Sequence, residues 1–102
     1  AEPLLRKAYS LAPNEAFTTK MLGAIELNKG NIEPAIELLE ASRALNPKDP
    51  QMLYNLSGAY GKNGDYQKAL DIAQLVSAEK PDFPGIRQWQ NQLINIINSR
   101  KK

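Results

Sequence analysis

The side chains able to do chemistry in this chain are its carboxylates, lysines, arginines and tyrosines, because its 102 residues include neither cysteine nor histidine. Without histidine the commonest general base and metal ligand is missing. Without cysteine there is no thiolate nucleophile and no disulfide framework, and either redox compartment is compatible. Any acid–base work would fall to the eleven acidic residues. Most of them, Glu26, Glu33, Glu37, Glu40 and Asp71 included, stand at positions expected to be solvated. No pair sits in a context that predicts a buried dyad with displaced pKa values. The run Gly61-Lys62-Asn63-Gly64 has the composition of a phosphate loop. Such loops follow a strand, however, and this run closes a helical pattern, so it is read as a helix end with its exit glycine. No dinucleotide fingerprint, nucleophile elbow or metal-ligand cluster occurs. The sequence therefore predicts no catalytic residue, no metal and no cofactor.

Charge and hydropathy exclude further classes. Thirteen basic residues against eleven acidic ones leave a net charge of +2, too little for the field of a nucleic-acid binder. The one basic cluster, Arg100-Lys101-Lys102, reads as a solvated tail. Aromatic and basic residues do not interleave as a nucleic-acid surface requires. No apolar run approaches the roughly 20 residues that span a bilayer, and no signal-peptide pattern opens the chain. With 42% apolar and 24% charged residues, the composition is that of a soluble globular domain.

The elements that would position these side chains emerge from an internal period. Pro13, Pro47 and Pro81 recur at intervals of 34. In the same register Leu22 meets Leu56, Gly30 meets Gly64, Ala35 meets Ala69 and Ala44 meets Ala78. Conservative pairs fill in around them, such as Asn31 with Asp65 and Ile36 with Leu70, and the register runs back to align Leu4 with Leu38. Each unit reads as two helices. Asp49-Pro50 supplies an N-cap and a first-turn proline; Leu53, Leu56, Ala59 and Tyr60 follow at helical spacing. Gly64 suits the left-handed exit position and Asp65 can cap the next helix, which carries Ala69, Leu70, Ala73 and Val76 until Pro81 stops it. The preceding unit starts at Asn14 or Glu15, turns at Gly30-Asn31 and stops near Pro47, with Pro34 tolerated in a first turn. Gly23, Ser57, Gly58, Ala35 and Ala69 are expected where paired helices approach closely, with Leu22, Leu56, Ile36 and Leu70 filling the seam.

The segment from Leu53 through Gly58 to Tyr60, followed by Gly64-Asp65-Tyr66, Ala69 and Pro81, resembles the tetratricopeptide repeat motif over nearly a full repeat. Gly58 falls one place after the family's usual glycine, with Ser57 in that slot; the preceding unit keeps Leu22, Gly23, Gly30, Ala35 and Pro47 but has Thr19 and Glu26 where bulkier residues are common. The resemblance implies an all-α fold, a right-handed α-solenoid of antiparallel helix pairs forming one domain over 1–102. Its parts would be the second helix of a partial repeat (1–13), repeats at 16–47 and 50–81, and a capping helix at 84–100, where Ile86, Trp89, Leu93, Ile96 and Ile97 share one stripe. Trp89 could serve as a hot-spot anchor for a partner, but its place on that stripe favours the packing of the cap. Beginning half-way through a repeat, the chain is expected to be the C-terminal part of a longer array or of a larger protein.

The resemblance also implies a function, the binding of a protein or peptide partner on the concave side, which the first helix of each repeat lines. Off the packing seam, the first repeat would contribute Phe17, Lys20, Ala24 and Leu27 to that groove. The second would contribute Gln51, Tyr54, Asn55, Gly58 and Lys62, and the terminal helix Gln88, Gln92 and Arg87. Tyr54 offers contact area and a hydroxyl at low entropic cost, and equally suits a joint between repeats. Some tetratricopeptide domains clamp the C-terminal carboxylate of a chaperone peptide with two lysines, two asparagines and an arginine. Lys20 and Asn55 match two of those five, while Ala24, Gly85 and Trp89 replace the others. Two alternatives stand beside the binding module. The chain could be a non-catalytic tail of a larger enzyme or assembly protein, or it could self-associate through its open N-terminal end, where Leu4, Leu5 and Leu11 belong to a helix without its pair.

Overall fold

A computed structural model describes residues 15–100, and the expected half repeat at 1–13, with Leu4, Leu5 and Leu11, lies outside the described residues, as do Lys101 and Lys102. Five helices follow one another: α1 Glu15–Asn28, α2 Ile32–Leu45, α3 Pro50–Lys62, α4 Tyr66–Glu79 and α5 Ile86–Ser99. There is no strand among the described residues. Each helix packs against its successor, so α1/α2 and α3/α4 form hairpin pairs and α5 closes against α4.

The 34-residue period is visible in the backbone itself. Gly30 and Gly64 adopt φ values of +84° and +85°, the left-handed exit for which glycine carries no Cβ penalty. The N–H of Gly30 donates to the Leu27 carbonyl at 3.0 Å and that of Asn31 to the Glu26 carbonyl at 2.9 Å. Gly64 and Asp65 repeat the pattern on Gly61 and Tyr60, at 3.1 and 2.9 Å. These are paired Schellman closures. The second helices end equally alike: Asn46 and Lys80 sit at φ/ψ of −146°/84° and −147°/88°, outside the α region from which Pro47 and Pro81 exclude the residue before them.

The helix starts are less uniform. Asp49 caps α3 as expected, its carboxylate accepting from the N–H groups of Gln51 at 3.1 Å and Met52 at 3.4 Å. Asp65 occupies the corresponding position of α4 but makes no side-chain cap, contrary to the sequence expectation. Its backbone, at φ/ψ −94°/69°, leaves the Schellman turn without the extended geometry that Asp49 has at −76°/108°, and that geometry is what aims a cap carboxylate at the next turn.

The core runs as one cluster through Leu39, Met52, Leu53, Leu56, Ala69, Ala73, Val76, Ile86 and Leu93. Each large aliphatic member contributes about 1.5–3 kcal/mol by leaving water. Ile36 and Leu70 pack on its flank, half-buried. Small residues set the spacing where helices touch: a Cβ on Gly23 would stand 2.7 Å from Leu39 Cγ, so α1 and α2 meet at van der Waals distance there. Gly58 does not play that role, because a Cβ there would meet nothing within 4 Å. The close approach on α3 belongs to Gly61, whose Cβ would lie 2.9 Å from the Trp89 ring. Hydroxyls tie the pairs together, Ser42 donating to the Ala16 carbonyl at 2.8 Å and Ser57 to the Ala69 carbonyl at 2.6 Å.

Two carboxylates expected in solvent are not there. Glu26 is only 6% exposed and accepts from the Asn31 side-chain amide at 2.8 Å. Glu40 is half-buried between α2 and α3, accepts the Tyr60 hydroxyl and lies 3.5 Å from Arg43. Burial pushes the Tyr60 hydroxyl up to about 12, with the Glu40 hydrogen bond and charge adding to it. Glu33, Glu37 and Asp71 are exposed as expected.

Candidate functional site

The alternate helices α1, α3 and α5 share a cavity of about 400 Å³. Its floor is α3. Tyr54, Gly58 and Gly61 recur at i, i+4 and i+7, with Asn55 and Lys62 alongside, so one stripe of that helix faces the cavity. Because Gly58 has no side chain and nothing lies over it, the stripe contains a gap between Tyr54 and Lys62. Leu27 of α1, Tyr66 at the start of α4, and Trp89 and Ile96 of α5 complete the lining.

The two aromatic walls are held from behind. Tyr54 packs on Phe83 of the α4–α5 connection, ring centroids 5.0 Å apart and planes tilted by 38°. The Trp89 indole N–H donates to the Ser57 hydroxyl oxygen at 2.7 Å, and Ser57 passes its own proton donor to the Ala69 carbonyl at 2.6 Å. This relay ties α5 to α3 and α4 and meets the requirement that a buried indole N–H find a partner. Polar capacity in the lining is sparse: the Tyr54 and Tyr66 hydroxyls, the Asn55 amide and the Lys62 ammonium. Asn55 Oδ1 accepts from Gln51 Nε2 at 3.2 Å, which leaves its Nδ2 as a donor. Lys62 is exposed, forms no ion pair among the described residues, and is the one charged side chain of the lining.

Of the residues read from the sequence as groove-facing, the structure brings Leu27, Tyr54, Asn55, Gly58 and Lys62 together around this cavity. Gln51 stands beside it through its bond to Asn55. Phe17, Lys20 and Ala24 do not line it. Phe17 is 55% exposed, and the Lys20 ammonium sits 5.4 Å from the centre of its ring while pairing with Asp49 Oδ2 at 2.8 Å. That pair leaves Lys20 already neutralised, so the two-residue match to a carboxylate clamp loses its cation. Gln88 and Arg87 line a separate depression along Pro81–Gln88, and Gln92 is exposed without lining the cavity. Sequence reasoning missed Gly61, Tyr66, Trp89 and Ile96. Trp89 was expected in the cap's packing, and half-buried it does both, one ring edge on Gly61 and the ring walling the cavity. The i, i+7 spacing of Trp89 and Ile96 on the apolar stripe of α5 was the available signal.

No group of three or more acidic, histidine or cysteine side chains is placed to hold a metal among the described residues, and no helix among them is long and apolar enough to cross a membrane. What the cavity offers is contact area, a few amide and hydroxyl hydrogen-bonding groups and one positive charge.

A family model described as tetratricopeptide repeat matches residues 27–93. Among solved structures, the MamA RS-1 ArsTM double mutant aligns with a TM-score of 0.84 at 23% sequence identity, over 96% of this chain and 55% of that one. MamA AMB-1 aligns with a TM-score of 0.83 at 18% identity, over 94% of this chain and 52% of that one. At these identities the likeness is one of fold, a helical solenoid of this repeat type. The chain spans about half the length of each.

Proposed function

Since the chain belongs to the tetratricopeptide repeat family, whose repeats mediate protein–protein interaction, we propose that it is an interaction or scaffold module holding a peptide or a partner's helix in the groove along α1, α3 and α5. The observation that carries this reading is the cavity of about 400 Å³ over Gly58, which falls within the ~300–1,000 Å³ of ordinary ligand pockets. It is walled by Tyr54 and Trp89, residue types that dominate binding energy at protein interfaces. The backs of both rings are fixed by Phe83 and by the Ser57 relay, so little side-chain freedom remains to be lost on binding.

The test begins with affinity capture by the intact protein and mapping of the bound segment. Replacing Tyr54 and Asn55 together by alanine should then weaken capture at least about tenfold, the scale of one interface hot spot, while helicity stays unchanged. Undiminished capture by that variant would place the partner elsewhere. A second reading, self-association, is favoured by the exposure of the large apolar side chains Phe17 and Met21 on α1 and Leu45 on α2, 55%, 43% and 50% exposed. Sedimentation of the chain would find a concentration-dependent dimer if these side chains are used, and a strict monomer if they are not.

A further inference from the structure

Resting on the groove reading above, we propose that the occupant of this cavity is an acidic–aromatic segment of a partner protein: one aromatic side chain seated over Gly58 between Tyr54 and Trp89, with a carboxylate one helical turn along α3 meeting Lys62. The size of the gap selects the anchor. An apolar cavity of ~150 Å³ already admits benzene, and this one, about 400 Å³ with aromatic walls, holds an aromatic side chain together with adjoining peptide backbone. A Cβ on Gly58 would touch nothing within 4 Å, so the space above it is open to an incoming group and not filled by a neighbour.

Charge selects the companion. The lining carries Lys62 and no carboxylate at all, and Lys62 forms no ion pair among the described residues. The Arg100 guanidinium stands 5.4 Å from the centre of the Tyr66 ring, itself part of the lining, and adds positive charge on that side. Among the other polar groups of the lining, the Asn55 amide and the Tyr54 and Tyr66 hydroxyls can each donate to a carboxylate. A carboxylate thus finds a cation and donors, and a basic segment would meet repulsion with no compensating carboxylate in the lining. Gly58 and Lys62 are four residues apart, about 6 Å along the helix axis. In an extended segment at ~3.3 Å per residue that is the distance from the aromatic residue to the second residue on either side.

Three blocked pentapeptides test this against the intact chain: Glu-Ser-Phe-Ser-Glu, Lys-Ser-Phe-Ser-Lys and Glu-Ser-Ala-Ser-Glu. Binding is read from the chemical shifts of the Gly58 amide and the Trp89 indole N–H. The acidic phenylalanine peptide should shift both saturably. The alanine peptide should bind at least about tenfold more weakly, and the lysine peptide about 2- to 25-fold more weakly, since attraction and repulsion at an exposed cation are each worth about 1.5- to 5-fold. The charge preference should collapse near 1 M salt, where the screening length is ~3 Å, and Lys62→Glu should invert it. Gly58→Leu should abolish the shift of the Trp89 indole N–H while melting at or above the wild-type temperature. Equal binding of the acidic and basic peptides, or of the Gly58→Leu variant, overturns this proposal while leaving the groove reading intact. If no peptide moves any resonance of α3 or α5, the groove reading falls and takes this one with it.

Discussion

Gly58 and Gly61 lie three residues apart on one helix and respond in opposite directions to the same substitution. Glycine inside a helix costs about 0.5–1 kcal/mol relative to alanine. Gly58→Ala collects that gain unopposed, because its new methyl group meets nothing within 4 Å. At about 4–8 °C per kcal/mol for a domain of this size, the melting temperature should rise by roughly 2–8 °C. Gly61→Ala gains no more than that, being next to the last residue of α3, and it meets the Trp89 ring at 2.9 Å. A ring edge would ordinarily swing aside at little cost, but this one is tethered through its N–H to Ser57 at 2.7 Å. Either the ring stays and the overlap costs about 1–3 kcal/mol, or it tilts and the lost hydrogen bond costs about 1–3 kcal/mol. The penalty is the smaller of the two, so the variants should differ by about 1–3 kcal/mol in chemical denaturation followed by circular dichroism. Trp89 is the sole tryptophan, and its emission should shift in the Gly61 variant alone. In a Ser57→Ala background the tether is gone, and the Gly61→Ala penalty should shrink by about 1 kcal/mol as the cycle closes. A Gly61→Ala protein as stable as Gly58→Ala, with unchanged emission, would refute the seating of Trp89 on α3 and with it the wall of the cavity.

Other perturbations follow from the same contacts. Ser57→Ala alone should cost about 1–3 kcal/mol and change the wavelength of Trp89 emission, because the indole N–H loses its acceptor. Asp49 serves both α3, whose first turn it caps, and Lys20 of α1. Asp49→Asn should retain the cap and lose at most about 1 kcal/mol, whereas Asp49→Ala should lose a further ~0.5–2 kcal/mol of capping. The Tyr60 hydroxyl is raised by folding to about 12, from a reference near 10. Its contribution is therefore complete below pH 10 and is lost as the pH climbs through about 12. Wild-type stability should fall more steeply than that of Tyr60→Phe across that window, and absorbance titration should show one tyrosine ionising late. At neutral pH, Tyr60→Phe should cost about 1.5–3 kcal/mol by removing a hydrogen bond to a carboxylate.

Most of the architecture was legible in the sequence because it rests on local backbone chemistry that repeats. The Gly30 and Gly64 exits, the proline stops after Asn46 and Lys80, and the Asp49-Pro50 start each depend on a few adjacent residues. The candidate site was legible chiefly along α3, where helical spacing alone brings Tyr54, Asn55, Gly58 and Lys62 to one stripe, and at Leu27 of α1. Contacts between helices were not. A glycine with helical backbone angles serves equally for close packing or for an open gap, and only the neighbour's position separates Gly61 from Gly58. The same holds for Glu40 with Tyr60, 20 residues apart, and Trp89 with Ser57, 32 apart. Such pairings depend on the rotational phase of one helix against another, which the hydrophobic period constrains only to a broad stripe. Glu26 shows the limit in another way: a charged residue in a helical pattern reads as solvated, and its burial depends on an amide supplied by the Asn31 turn.

The Ser57 relay makes the last described helix part of the receptor as well as part of the scaffold. Helices of a repeat array open sub-globally at free energies below that of global unfolding, and when α5 detaches from α4, the Trp89 and Ile96 wall leaves with it. A molecule that requires both walls can bind only the closed array. Occupancy must then slow amide exchange throughout α5 by the factor 1 + [L]/Kd, even at residues such as Asn95 and Asn98 that do not line the cavity. The opening of α5 thereby becomes a gauge of affinity that requires no label on the ligand.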